Sequence, residues 1–427
     1  MVDNSMHIPL HQLPENQSLT TAGRLRKTEH GWAIFNAFSE FALRGLDDEG
    51  ALSDGALIRV GGYRQRETLQ VTALQVVHRP KNGPTALGRR QSPSLGEALR
   101  ARHEINRRIR HFFENRDFLE VETPASLRAP GTDPHLDPVP IELGGTGEET
   151  PHLPAYLHTS PELMMKQLLA AGAGPIYQLC RVWRGAEVTD LHTPEFTLLE
   201  WYRPWRSVEV IIDDVEKLVA QILDDHCARP IATPIARMTM QQVVDAACGF
   251  DLLEALDAPS LRREVLSRNL LSERAVGDAE WDEIFFSLSI SHIDPYLKTL
   301  GAVFVTDWPL PLAVLARGTD GEPRTAERFE LYVDGLELAN GFGELTDPDE
   351  QRRRFRADNE RRSELNLPRL PIPEAFLRAL NWGMPPSAGV ALGVDRLLLL
   401  ATDGASTLRD VAPFALTRDD RGIHWPQ

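Results

Sequence analysis

The chain has 427 residues, 42% hydrophobic and 25% charged, with a formal net charge of -16, an ordinary globular composition with length for a large core and two unequal domains. Residues 1–98 carry 11 Lys/Arg against 10 Asp/Glu, and residues 99–427 carry 35 against 52, so the acidity of the larger stretch argues against broad nucleic-acid binding. Cys180, Cys227 and Cys248 lack close spacing, which excludes a disulfide framework or zinc motif and fits a reducing, cytoplasmic setting. No signal-peptide pattern and no 18-residue apolar run occurs, so the expectation is a chain neither exported nor membrane-spanning.

Residues 1–25 are polar and read as partly disordered. One strand is predicted within Trp32 to Phe41, and two more over Ala56 to Val60 and Thr68 to Val77, linked through Gly61-Gly62. Lys81 to Ser94 reads as a linker. Two readings stand side by side for 1–98: a partial, OB-like barrel, or a small β extension packed on the main body or its dimer mate. Leu99 to Asn115 is predicted as a helix burying Ile105, Ile109, Phe112 and Phe113. A strand follows in FLEVETP, 118–124. The next helix starts after Ser160, the expected N-cap, with Pro161 at the first helical position and Glu162 in the first turn.

Residues 176–203 read as two strands, Ile176 to Trp183 and Glu195 to Tyr202, around a polar loop. Period-two alternation puts Phe196, Leu198, Glu200 and Tyr202 on one face. A carboxylate on such an apolar strand departs from an ordinary core strand, and Arg184 and His192 bracket the loop as an anion grip. Helices are predicted over 207–225 and 237–249, a helical cover over Leu253 to Glu280, and a buried strand in 302–311. In AERFELYVDGLELANGFGELTD, 326–347, Asp334-Gly335 signals a hairpin turn pairing Val333 with Leu336 and Tyr332 with Glu337. Glu330 then lies one diagonal step from Glu337, and two carboxylates held that close need a cation, which points to a divalent metal. Glu344 is out of parity with Glu337 on a plain strand, and the glycines between them permit a bulge that redirects it. Pro348 to Glu364 reads as a solvated helix with Arg352, Arg353 and Arg354 on its surface. Gly389 to Gly393 enters a helix at Asp395-Arg396, where the arginine is a candidate anion ligand.

Together these segments resemble a known family. WRGAEVTDLHTPEFTLLEWYRP is similar to motif 2 of class II aminoacyl-tRNA synthetases in its lysyl-tRNA synthetase form, and more similar to the bacterial elongation factor P lysine ligases. GVALGVDRLLLL, 389–400, resembles motif 3 and FLEVETP motif 1, and the resemblance covers roughly residues 99–415. It implies an α+β fold: a class II catalytic domain over 99–427, mainly antiparallel sheet flanked by helices, after a small N-terminal β-rich, partial OB-like domain over 1–98. It also implies a homodimer through motif 1 around Pro124.

The implied chemistry is ATP-dependent activation of (R)-β-lysine or lysine as an adenylate, followed by transfer to a lysine ε-amine of elongation factor P. By the resemblance, Arg184 holds the α-phosphate and the amino-acid carboxylate. Arg396 holds the γ-phosphate, Phe196 stacks on adenine, His192 lies against the phosphates, and Glu330 with Glu337 binds Mg2+. Glu162, Glu200, Tyr202, Asn340 and Glu344 receive the amino groups. Ala339, where lysyl-tRNA synthetases carry Gly, is the expected pocket wall that favours the β isomer. Motif 2 departs from the usual Arg-Asn-Glu: here it reads Arg184-Gly185-Ala186-Glu187, with Glu187 expected on the adenine side, and the lost second arginine argues against the usual grip on tRNA. Two other readings remain: the same adenylate passed to tRNA, a carrier protein or a small amine, and a non-catalytic regulator that kept the fold.

Overall fold

Residues 13–36, 39–46, 52–81, 92–144, 152–185, 188–223, 231–313, 315–412, 414–419 and 422–424 are described by a computed structural model. The chain falls into two units, 1–105 with 404–427, and 106–403. The boundary lies seven residues beyond the expected one, and the last stretch groups with the first unit.

In the first unit, β1 (Ser18–Thr28), β2 (Gly31–Phe35), β3 (Glu40–Arg44), β4 (Leu57–Gln65) and β5 (Thr68–His78) form a closed barrel in the order β1-β2-β3-β5-β4. The expectation of a partial barrel is therefore corrected: β3 pairs with β5 in parallel, and β1 with β4 antiparallel, so the sheet closes on itself. Alternation supplies the interior, where Leu25, Ile34, Phe41, Leu43, Ile58, Val60 and Leu69 are buried. Gly61-Gly62 does not link two strands. β4 runs through it with a register shift, and a Cβ on Gly62 would stand 2.0 Å from the Gln70 carbonyl oxygen. The expected disorder of 1–25 fails for Ser18 onward, which is β1; residues 1–12 and most of the predicted linker lie outside the described residues.

Helix α1 (Ser92–Glu114) starts earlier than predicted and buries the predicted Ile105, Ile109, Phe112 and Phe113. Three short strands, β7 (Ser126–Leu127), β8 (Pro140–Leu143) and β9 (Leu153–Leu157), follow β6 (Leu119–Glu120) and form a small sheet of their own. The large sheet runs β12-β13-β15-β16-β17-β11-β10-β6, with β14 (Gly318–Thr319) beside β15. Its strands are β10 (Ile176–Trp183), β11 (Glu195–Pro204), β12 (Ala236–Thr239), β13 (Ala302–Pro309), β15 (Glu322–Val333), β16 (Leu336–Gly343) and β17 (Ser387–Gly393). The pairing is antiparallel except for β12 with β13 and β10 with β6.

Helices α2 (Glu162–Ala170), α3 (Val208–Ile222) and α4 (Met240–Cys248) occupy the predicted stretches. The cover after α4 includes α5 (Ala258–Ser267), α6 (Trp281–Leu288) and α7 (Asp294–Thr299), around Leu261, Ile284, Phe285 and Leu297. Helix α8 (Pro348–Glu364) has the predicted bounds but is not wholly a solvated face. Arg362 is 1% exposed and donates to the carbonyls of Pro368, Asp133 and Leu136, tying the 133–137 segment down. Helices α9 (Glu374–Gly383) and α10 (Val394–Ala401) flank β17.

Candidate active site

Strand pairing builds the site's floor. Glu330 of β15 pairs with Asn340 of β16, Asn340 with Ala391 of β17, Ala391 with Glu200 of β11, and Glu200 with Gln178 of β10. Directly paired residues project from one face, so this polar row crosses the sheet with only a methyl group at its centre. Gly389, Ala391 and Gly393 alternate along β17 on that face, which leaves a trough over the strand. Phe196, Leu198, Glu200 and Tyr202 line the β11 side, as predicted, with Phe196 and Glu200 about 13 Å apart along the strand.

Two corrections come from the β15–β16 register. Val333 pairs with Leu336 and Tyr332 with Glu337, as the turn requires, and then the register shifts, so that Leu331 faces Ala339. The extra residue is Leu338. This bulge precedes the glycines, and it brings Glu337 and Asn340 onto one face although three positions separate them. Gly341 instead serves close packing: a Cβ there would meet the Gly389 carbonyl oxygen at 2.6 Å and the Phe329 ring at 2.7 Å. Ala339 is the second correction. It pairs with Leu331 and Leu392, so its methyl belongs to the opposite, apolar face and is not a pocket wall. The alanine on the pocket face is Ala391.

At one end of the trough the three predicted carboxylates come together. Glu200 accepts from the Ser160 hydroxyl at 2.8 Å and from the Tyr202 hydroxyl at 2.5 Å. Ser160 also accepts from the Glu162 amide at 2.9 Å, while α2 itself begins at Glu162, one residue later than expected. Glu162 and Glu344 share an ion-pair partner that the sequence did not flag, the 1% exposed Lys166. Burial and the nearby Glu162 push Glu200 above the usual carboxylate range, against the Tyr202 and Ser160 hydrogen bonds. Burial likewise raises Glu344, opposed by Lys166 and assisted by Glu162 and Glu200. Glu344 Oε1 and Asn340 Oδ1 are buried acceptors without a hydrogen-bond partner among the described residues, an arrangement suited to an incoming donor.

The other end is basic. Arg184 lies 5.2 Å over the Phe196 ring and donates to the Thr159 carbonyl at 3.4 Å. Arg396 donates to the Glu337 carbonyl at 2.7 Å, approaches its carboxylate at 3.6 Å, and meets His192 Nε2 at 2.8 Å. A guanidinium only donates, so His192 Nε2 is the acceptor and its Nδ1–H faces Thr189 Oγ1 at 2.9 Å. Glu187 lies outside the described residues. Gly185 is explained by its neighbour: a Cβ would stand 2.8 Å from Asp137 Oδ2, where an asparagine has no room without displacing Asp137.

Glu330 and Glu337 are close enough that Glu337 helps burial raise the Glu330 carboxyl, against Arg328. Glu330 Oε1 already accepts from Arg328 and Asn340, and Oε2 from Tyr332, whereas the Glu337 side chain is 42% exposed. Among the described residues, no group of three His, Cys, Asp or Glu side chains is placed to hold a metal ion. The pair still fits Mg2+, which takes one or two carboxylates and draws its remaining ligands from phosphate and water.

A largely antiparallel sheet carrying an arginine–aromatic end and a carboxylate end on one face accords with the class II synthetase domain that the motifs resemble. The family tRNA synthetases class II (D, K and N) matches residues 86–418. A protein of Erwinia tasmaniensis named elongation factor P–(R)-β-lysine ligase is 43% identical over 77% of this chain and 97% of its own length. Namesakes from Edwardsiella ictaluri and Salmonella gallinarum are 43% and 41% identical, over 75% and 77% of this chain and 95% and 97% of theirs. The chain therefore belongs to the class II synthetase family and, within it, to the elongation factor P–(R)-β-lysine ligases. It is an ATP-dependent ligase by that membership. The barrel precedes the matched region.

Proposed function

We propose that the chain activates (R)-β-lysine or lysine with ATP and transfers the acyl group to a lysine ε-amine of elongation factor P. The observation that carries this reading is the convergence of Glu162, Glu200 and Glu344 at one end of a trough whose other end is cationic. A diamino acid offsets the repulsion and desolvation of those carboxylates, whereas an apolar amino acid leaves them unpaired. The ligand's carboxylate oxygen attacks the α-phosphorus and pyrophosphate leaves. The acceptor amine then attacks the acyl carbon, AMP leaves, and the amine nitrogen loses a proton.

Arg184 presents a planar donor fork to the ligand carboxylate and the α-phosphate. Phe196 offers a face to adenine, and the adenine-side role of Glu187 is carried over from the family resemblance. Arg396 and His192 meet the outer phosphates, and Asn340 and Tyr202 complete the amino-group end. Mg2+ held by Glu337 and Glu330 would neutralise phosphate charge. The reaction is mostly positioning and electrostatics. A homodimer through the segment around Pro124 accords with the sheet ending at β6, where Leu119 is 58% exposed. A cytoplasmic site of action accords with a translation-factor acceptor. No helix among the described residues is long and apolar enough to cross a membrane.

The test is intact-mass analysis of elongation factor P after incubation with enzyme, ATP, Mg2+ and each lysine isomer, beside total tRNA as a competing acceptor. A mass gain of one lysyl group on the factor is expected. Acylation of tRNA with none on the factor overturns the acceptor, and absence of pyrophosphate exchange with both isomers overturns the substrate.

A further inference from the structure

The carboxylate pocket contains a cation of its own. Lys166 lies one helical turn after Glu162 on α2, which directs both side chains to one side. Its ammonium is paired with Glu162 and with Glu344, and it stands 5.1 Å from the Phe342 ring centre and 6.0 Å from that of Phe376. Two aromatic faces and two carboxylates thus surround a side chain that is 1% exposed. Glu200, in contrast, is held by the neutral hydroxyls of Ser160 and Tyr202. Burial alone would lower a lysine, yet Glu162 and Glu344 together hold Lys166 above the usual range, so it stays charged.

We infer that Lys166 is a positioning residue for substrate selection: a built-in counter-ion that sets the pocket's excess negative charge to match the two ammonium groups of a diamino acid. This rests on the substrate reading above and deepens it. With a dication bound and all three carboxylates ionised, the one ammonium leaves two negative charges, one for each amino group, while the ligand's carboxylate lies at the Arg184 end. Lys166 also fixes where the charges sit. It holds the Glu162 and Glu344 head groups together, so that neither swings toward Glu200 when the pocket is empty. Without it, Glu200 and Glu344 would be raised further, with Tyr202, Cys180 and Arg317 the other titratable groups near enough to feel their charge. A dication would then have to displace protons held more tightly than in the wild type in order to bind.

The experiment compares wild-type enzyme with K166M in amino-acid-dependent pyrophosphate exchange across pH, using whichever lysine isomer the wild type activates. K166M is expected to raise the KM for that amino acid by about tenfold or more near neutral pH, with kcat and the KM for ATP within about twofold. The pH at which KM levels off should move up by about one unit. An unchanged KM profile, or a fall in kcat at constant KM, overturns the inference. Thermal melting supplies a readout that needs no substrate: K166M should lose more stability at about pH 8 than at about pH 6, because its unpaired carboxylates ionise as pH rises. Equal loss at both overturns the counter-ion role, whereas failure of the wild type with both isomers overturns the substrate reading alone. Should K166M not fold at either pH, K166M/E344Q, which removes the opposing charge as well, is expected to fold at both; its failure also overturns the inference.

Discussion

Glu200 shows how one side chain couples recognition to pH. Its carboxyl is pushed up to about 7 from an ordinary 4.5, chiefly by burial. A raised carboxyl keeps its proton in the fold at pH values where the unfolded chain has lost it. The folded state then binds more protons, and stability falls as pH rises from about 4.5 through about 7. A bound dication removes that penalty by favouring the ionised form. The melting-temperature gain from saturating diamino acid should therefore be larger at about pH 8 than at about pH 6, and a gain that shrinks with pH would contradict it. Glu200→Gln should cost roughly a hundredfold in kcat/KM for the amino acid while leaving the KM for ATP unchanged, measured by pyrophosphate exchange. Glu200 and Glu344 were legible in the sequence because each stands out from its surroundings, a charge on an apolar strand and a charge after a glycine run. Glu162 is a first-turn carboxylate that the helix dipole alone explains, and only the resemblance singled it out. Lys166 was not legible, because a Glu–Lys pair four residues apart looks the same whether it is solvated or buried.

At the scale of elements, β17 is the strand on which the trough depends. Gly389 faces Tyr202 and Glu344 so closely that a Cβ would lie 2.3 Å from the Tyr202 ring and 2.7 Å from Glu344 Oε1. Gly389→Ala should push Tyr202 away from Glu200, costing about 1–3 kcal/mol of stability in chemical denaturation and weakening amino-acid binding more than ATP binding. Ala391→Val should fill the trough between Glu200 and Asn340 and raise the amino-acid KM by about tenfold, with little change in melting temperature. The Asp334-Gly335 turn set the first two pairs of the hairpin from sequence alone, but Leu338 looks like any strand leucine. A one-residue bulge leaves no mark in hydrophobic alternation, so nothing in the sequence corrected the resemblance that put Ala339 on the pocket face, where Ala391 stands. The barrel was obscured for another reason: β1 lies in a polar stretch, and the β3–β5 pairing that closes it is long-range and parallel.

For the whole molecule, the two units have separate interiors. The barrel encloses its own apolar cluster, and the residues from Met240 to Leu312 contribute another in the second unit. Calorimetry of the intact chain should therefore resolve two transitions, only one of which moves on adding ATP and a diamino acid; a single ligand-sensitive transition would show that the units unfold together. The second unit's fold was readable because three ordered motifs mark its strands, whereas the first unit's strand signals supported an OB-like barrel only in part and not its closure. Closure also gives every barrel strand a partner on both sides, which shortens the open edge by which a sheet extends into a neighbouring chain. A module sealed in this way can be acquired or lost in descent by recombination at its flanks, which accords with relatives that align over about three quarters of this chain and nearly all of their own length.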